Sequence, residues 1–227
     1  MRTYGQHCFI AKALDVVGDR WTLLIVREIL LQGPCRFTDL RNGLPGIATN
    51  LLSTRLKELE EAGLLYREAA PPPVATTLFH LTADGQELEP VLEALGIWGV
   101  RYTVAQAPDE TFRAHWLGYP LRWFLRDNEP KAASPTTIQI VAGDESIVLM
   151  VDRGALTPRL GSDPHADVIV TGDPDAILGL LTGFLDARSA AKAGVTISGD
   201  VDVLARIRPA SVPQALSNAM DRRSTSV

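Results

Sequence analysis

Asn50, Ser53, Thr54 and Lys57 place one carboxamide, two hydroxyls and a cation on one side of a prospective helix. Such short polar side chains exchange hydrogen bonds with base edges in a major groove, and a neighbouring cation reaches phosphate. Leu52, Leu56 and Leu59, with Ala48 one turn earlier, recur on the opposite side as an apolar stripe that must be buried. The stretch Gly46 to Gly63, GIATNLLSTRLKELEEAG, is therefore predicted to be a recognition helix. Thr49, Asn50 and Ser53 are assigned to base edges with Thr54 beside them, and Arg36, Thr38, Arg55 and Lys57 to phosphate. Arg55 falls toward the apolar edge of the helical wheel, so locking the helix in place is its alternative role. The same pattern also describes the solvated side of an ordinary surface helix, and the neighbouring segments have to decide between the two.

Other chemistries find less support. His7, His80, His115 and His165 are scattered, and none stands at metal-ligand spacing from Cys, Asp or Glu. No phosphate-cradling glycine loop or nucleophile elbow occurs. Asp144 with Glu145, and Asp173 with Asp175, occupy turn or capping positions. No enzymatic role, metal or cofactor is expected. Cys8 precedes the first helical pattern with His7 and Lys12 nearby, a setting that can lower a thiol pKa, and the alternative is a small buried hydrophobe. Cys35 follows a proline in a turn and is taken as structural.

The chain that must position these groups has 227 residues, 46% hydrophobic and 22% charged, enough for two small domains. No apolar run approaches the roughly 20 residues of a membrane span. The N-terminal MRTYGQHCFIAK lacks a secretory apolar core, and two cysteines form no disulfide framework, so a cytoplasmic protein without a membrane partner is expected. The net charge of −5 opposes non-specific coating of nucleic acid. Between Arg20 and Lys57, however, six basic residues face two acidic ones, a local balance of +4.

Ile10, Ala13, Leu14 and Val17 predict a first helix closed by Gly18, and Asp19 is the expected N-cap of a second helix carrying Trp21, Leu24, Ile25 and Ile29. Gly33-Pro34 stops it. A short third helix over Arg36 to Asn42 leads through Gly43-Leu44-Pro45-Gly46 into the recognition helix, the arrangement of a helix-turn-helix. Leu64 to Arg67 and Thr77 to Leu81 predict a β-hairpin with Pro71-Pro72-Pro73 in its tip. Thr82 caps a predicted helix running to about Tyr102, kinked at Pro90, whose seam of Leu88, Val91, Leu92, Leu95 and Trp98 calls for a second copy of the chain or for its own domain.

These segments together resemble the HxlR family of bacterial transcriptional regulators over residues 7 to about 102. The stretches that carry the resemblance are HCFIAKALDVVGDRWTLLIVREIL, RFTDLRNGLPGI, NLLSTRLKELEEAGLL and LTADGQELEPVLEALGIWG. It implies a winged helix-turn-helix that binds double-stranded DNA as a homodimer, and it makes Cys8 a candidate redox thiol, since some members sense oxidants through a cysteine there. Two positions depart. Many members have Ser where Ala48 stands, so Thr49 is expected to cap one residue later, and the wing tip between Glu68 and Thr76 has no Lys or Arg, leaving Arg67 at its base.

After Gln106-Ala107-Pro108 the pattern changes, which sets domains at 1–103 and 104–227. The second half predicts an aromatic helix over Asp109 to Asp127, strands at Thr137 to Val141, Ser146 to Val151, Leu156 to Leu160 and Ala166 to Val170, and a helix over Asp173 to Gly183. A strand at Val195 to Ser198 and a last helix from about Asp202 to Ile207 complete it. The fold class is α+β throughout, with a mostly antiparallel sheet and helices on one face in the second domain. The stretch ADVIVTGDPDAILGLLTGFLDARSAAKAGVTISGDVDVLARI resembles the sterol carrier protein type 2 domain, which implies a pocket for a hydrophobic small molecule, lined by Trp116, Trp123, Phe124, Leu178, Leu181, Phe184 and Leu185. A closed core is the alternative. The expected function is that of a DNA-binding transcriptional regulator, dimeric on a palindromic operator and responsive to a hydrophobic small molecule. The alternative is a lipid carrier or protein-interaction module whose winged domain no longer binds DNA.

Overall fold

In the computed structural model, residues 3–71, 75–102, 110–131 and 134–209 are described, and the chain divides into two compact units, Met1–Ala94 and Leu95–Val227. The expected boundary at 103/104 and the wing tip at 72–74 lie outside the described residues. The first unit begins with α1 (Phe9–Val17), α2 (Thr22–Gln32), a short strand β1 (Cys35–Arg36), α3 (Phe37–Gly43) and α4 (Thr49–Glu61). The wing follows as β2 (Leu65–Ala69) and β3 (Thr77–Leu81), then α5 (Ala83–Gln86) and α6 (Glu89–Gly99).

Ile25, Leu40, Leu52, Leu56 and Leu59 are at most 2% exposed and form the centre of this unit with Phe79 and Leu81 of the wing. The apolar stripe of α4 is thus fully used in holding the helix down, which is the hydrophobic reason it lies where it does. β1 adds to the hairpin as a third strand in the order β1-β3-β2, with Cys35 opposite Phe79. A two-residue strand carries too little periodicity to be read from sequence.

Several expectations fail here. Asp19 does not cap α2; the N-cap is Trp21 in the left-handed region at φ 82, and Asp19 turns to Arg55 instead. Nor does Thr49 cap α4, because it is the first helical residue and the N-cap is Ala48, which has no side chain to bond the free N–H groups. The single helix expected from Thr82 to Tyr102 is broken into α5 and α6. Thr82 does cap, accepting from the Gly85 N–H at 3.1 Å. Pro90 sits in the first turn of α6, where its missing N–H costs nothing, and could not have continued α5. Its seam is divided as well: Leu92 is buried and Leu88 packs beside it in the first unit's core, whereas Val91, Leu95 and Trp98 are exposed.

The second unit is built on a five-stranded sheet in the order β7-β6-β5-β8-β9, from β5 (Thr136–Ala142), β6 (Glu145–Asp152), β7 (Ala155–Leu160), β8 (Val168–Thr171) and β9 (Thr196–Gly199). Only the β5–β8 pairing is parallel. Alternate residues Ile138, Ile140, Ile147, Leu149, Val168 and Val170 face one core with side chains of α7 (Gly118–Phe124), α8 (Pro174–Leu181) and α9 (Ala187–Lys192). The helix expected over Asp109 to Asp127 is cut short. Its described part holds a 3-10 turn at Ala114–Leu117 and then α7, with Pro120 in the opening turn of α7. The chain then extends as β4 (Leu125–Asp127), which pairs with β10 (Ile207–Pro209). The residues expected to form the last helix make a 3-10 turn at Val201–Arg206 before β10. The two segments meet in one long-range pairing: β4 lies beside β10, and Arg206 holds Asp127 by two bonds of 3.0 and 3.1 Å, contacts that local helical preference does not anticipate.

Candidate nucleic-acid interface

The outward side of α4 carries Thr49, Asn50, Ser53, Thr54 and Lys57, all exposed, above the three buried leucines. Asn50 Oδ1 accepts from the Leu51 N–H at 2.9 Å, which leaves its NH2 as the group offered outward. The Ser53 and Thr54 hydroxyls donate to the carbonyls of Thr49 at 3.1 Å and Asn50 at 2.9 Å. Their oxygens then remain as acceptors, matched to the exocyclic amines of cytosine or adenine.

The cations differ from one another. Lys57 makes only a loose 3.6 Å pair with Glu61, and both are largely exposed. Arg36 and Thr38 are exposed at the start of α3, where Asp39 accepts from the Arg36 N–H at 2.9 Å and fixes the first turn. Arg67 pairs with Glu60 at 2.5 Å and lies over the Phe79 ring at 5.8 Å, tying the wing to the end of α4. Arg55 is different again. Its side chain is 15% exposed and its guanidinium lies between Asp19, at 2.7 Å, and Glu58.

One residue of this unit escaped the sequence reading. Glu28 is fully buried on α2, bonded by Arg27 at 2.6 and 2.9 Å and by Gln32 at 2.7 Å. A Cβ on Gly43 would come within 2.1 Å of its carboxylate, so any side chain at 43 has to displace Glu28, which packs α2 against the end of α3. The available signal was an acid placed among the inward positions of an otherwise apolar helix.

The two thiols are opposites. Cys8 is exposed within the single chain at the N-cap of α1, and the N–H groups of Ala11 and then Ile10 at the open helix end lower its pKa from the ordinary thiol value. Cys35 is buried, and burial first, with Asp39 and Glu28 adding to it, pushes its thiol up to about 12.

In the second unit the seven residues named for a pocket do not share one environment. Leu181 belongs to the core under the sheet and Leu185 packs against it, while Phe124 is buried and Leu178 and Phe184 are half-buried. Trp116 stands edge-on to Phe112 at 6.3 Å. Trp123 stacks on Tyr119 at 4.6 Å and presses on Gly96, where a Cβ would lie 2.6 Å from the ring.

Three helices leading into a half-exposed recognition helix, followed by a hairpin, define a winged helix-turn-helix protein. Residues 16–107 match the HxlR-like helix-turn-helix family model. The HTH-type transcriptional regulator YvaP of Bacillus subtilis is 36% identical over 91 residues, 40% of this chain and 83% of that protein. Sll1512, an HTH-type transcriptional regulator of Synechocystis, is also 36% identical over 91 residues, covering 40% of this chain and 67% of its own. The solved reduced form of the transcriptional regulator YodB from B. subtilis is 29% identical, with a TM-score of 0.38, over 43% of this chain and 96% of that one. The chain belongs to the HxlR-like helix-turn-helix family and is a DNA-binding transcriptional regulator of HTH type. Such regulators are generally not enzymes. Among the described residues no helix is long and apolar enough to cross a membrane, and no group of three or more His, Cys, Asp or Glu stands where it could hold a metal ion.

Proposed function

We propose that α4 reads the operator through Thr49, Asn50 and Ser53, with Thr54 beside them, while Arg36, Thr38 and Lys57 hold phosphate and Arg67 adds a contact at the base of the wing. The observation that carries this reading is the division of α4, whose leucines are sealed in the core while its polar side is exposed. Asn50→Ala is expected to relax discrimination at one base pair by about 1–3 kcal/mol, whereas Lys57→Ala weakens specific and random DNA alike and flattens the salt slope. Quantitative shift assays on both DNAs decide, and equal losses on the two for Asn50→Ala reject its reading role.

The regulator acts as a homodimer whose two recognition helices enter major grooves about 34 Å apart on a palindromic site. Support comes from apolar side chains left at the surface: Phe9 (95% exposed) and Ile10 (72%) on α1, and Val91, Leu95 and Trp98 on α6. Sedimentation of Ile10→Glu and Trp98→Glu is expected to give monomer, and an unchanged mass for both would remove α1 and α6 from the interface.

The domain at 104–227 is read as sterol-carrier-like, binding a hydrophobic small molecule between its sheet and helices, a reading supported by the one-sided placement of α7, α8 and α9. Titration with a fluorescent fatty acid tests it, and failure to saturate rejects the pocket. Cys8 is proposed as an oxidant-sensitive thiol, supported by its exposure and lowered pKa. Mild oxidation is expected to change operator affinity in the native chain and not in Cys8→Ser; equal responses overturn the assignment.

A further inference from the structure

The turn joining α1 to α2 carries a strained residue. The Thr22 N–H donates to Asp19 O at 3.2 Å, and Trp21, third in that turn, lies at φ 82° and ψ −21°, where a type II turn normally holds glycine. Left-handed backbone at a bulky residue costs about 1–3 kcal/mol and persists only where its surroundings hold it. Here they do. The ring packs on the first unit's core and lies 4.0 Å from where a Cβ on Gly46 would stand, at the turn into α4. Asp19, at the start of the same turn, holds Arg55 of α4 at 2.7 Å. Between these two anchors Arg20 is exposed, with its guanidinium carbon 5.6 Å from the centroid of the Trp21 ring. Among the described residues no carboxylate pairs with Arg20, whereas Arg27, Arg55 and Arg67 each hold one.

The place of this turn beside α4 follows from the helix itself. At about 100° per residue, Asn50, Thr54 and Lys57 mark the centre of the exposed side, with Arg55 on one flank and Glu60 on the other. Glu60 holds Arg67 at the base of the wing, so the wing and the α1–α2 turn stand on opposite flanks of that side. A helix lying in a major groove has a phosphate strand along each flank. We infer that Arg20, held on the Trp21 ring, grips a phosphate of the strand opposite the wing. The wing's only Lys or Arg is Arg67, already paired with Glu60, so the far flank bears more of the backbone contact. A guanidinium stacked on an aromatic ring keeps its N–H edge outward and has less freedom to lose when it forks onto phosphate. This assignment rests on the DNA-reading side proposed above for α4.

Fluorescence anisotropy of the full-length chain with a labelled mixed-sequence DNA duplex, over a series of salt concentrations, is the test. Arg20→Ala is expected to weaken binding about fivefold and to reduce the slope of log affinity against log salt by about 0.9 per bound chain. Arg20→Lys is expected to keep the slope, because the charge stays, yet to weaken binding about twofold, because an ammonium neither stacks as a plane nor forks onto phosphate. Arg20 is exposed, so neither change removes a core contact, and circular dichroism confirms folding before titration. A native chain that binds the duplex while Arg20→Ala leaves the slope unchanged overturns the phosphate contact alone, even if affinity falls, since a shift in the position of α4 releases no fewer counterions. Full affinity in Arg20→Lys overturns the part played by the Trp21 ring. A native chain without salt-dependent binding overturns the DNA reading and this contact together.

Discussion

Arg55 holds its guanidinium between Asp19 and Glu58, with most of the side chain out of water. A cation committed in this way to two acids has little to gain from phosphate, and we propose that it acts on DNA binding through the position of α4. Asp19 is half-exposed, and the pair is worth about 1 kcal/mol or less after solvent screening. Asp19→Asn and Arg55→Ala are expected to lower operator affinity while leaving the slope of log affinity against log salt unchanged. A slope reduced by about one unit for Arg55→Ala would place it on phosphate instead. The sequence showed Arg55 at the edge of the apolar stripe, which left both roles open. Its partner could not be read, because Asp19 is 36 residues distant and had a plausible local role as a cap. Glu28 went unread for a related reason: an acid counts as surface by default, and its carboxylate packs inside against the bare backbone of Gly43, 15 residues later.

Among the elements, α4 was the most legible, because three leucines at helical spacing define both its existence and its buried side. Its start was less so. Ala48 offers no side-chain oxygen to the first turn, where Asn50 Oδ1 takes the Leu51 N–H, and Ala48→Ser, bonding the Asn50 N–H, is expected to raise stability by about 1 kcal/mol, seen as a higher urea midpoint with unchanged slope. No gain would mean that the Asn50 N–H is already satisfied by other means. The helix expected from Thr82 to Tyr102 shows the opposite weakness, since a continuous apolar seam says nothing about whether the backbone is continuous through Glu87 and Leu88. The helix expected before Asp127 failed by a different route, because β4 is created by its pairing with β10, some 80 residues later.

For the molecule as a whole, Arg206 and Asp127 carry the clearest long-range electrostatic tie. Arg206 also donates to Ser134 O at 2.7 Å and Thr136 Oγ1 at 2.9 Å, so the pair joins β4 and the approach to β10 to the first strand of the main sheet. Hydrogen bonds from the Arg206 side chain hold the Asp127 pKa down to about 2, below its ordinary 3.8. A depressed carboxylate contributes stability that is fully present above the unfolded value of 3.8 and lost as pH falls through about 2. Denaturation midpoints for the native chain are therefore expected to fall between pH 4 and pH 2 more steeply than for Asp127→Asn, and parallel curves would remove the pair from the acid response. At neutral pH Asp127→Asn leaves a buried guanidinium short of its countercharge and is expected to cost about 3–5 kcal/mol. What the residues determined unaided is the alternation and spacing of apolar side chains, and with them α4, the wing strands β2 and β3 and the strands of the second sheet, because burial periodicity is local. What only the tertiary structure decided is which distant groups meet: Asp19 with Arg55, Glu28 against Gly43, Arg206 with Asp127 and Tyr66 stacked on His80. Those meetings depend on chain segments far apart in sequence, and no local pattern encodes a partner at that distance.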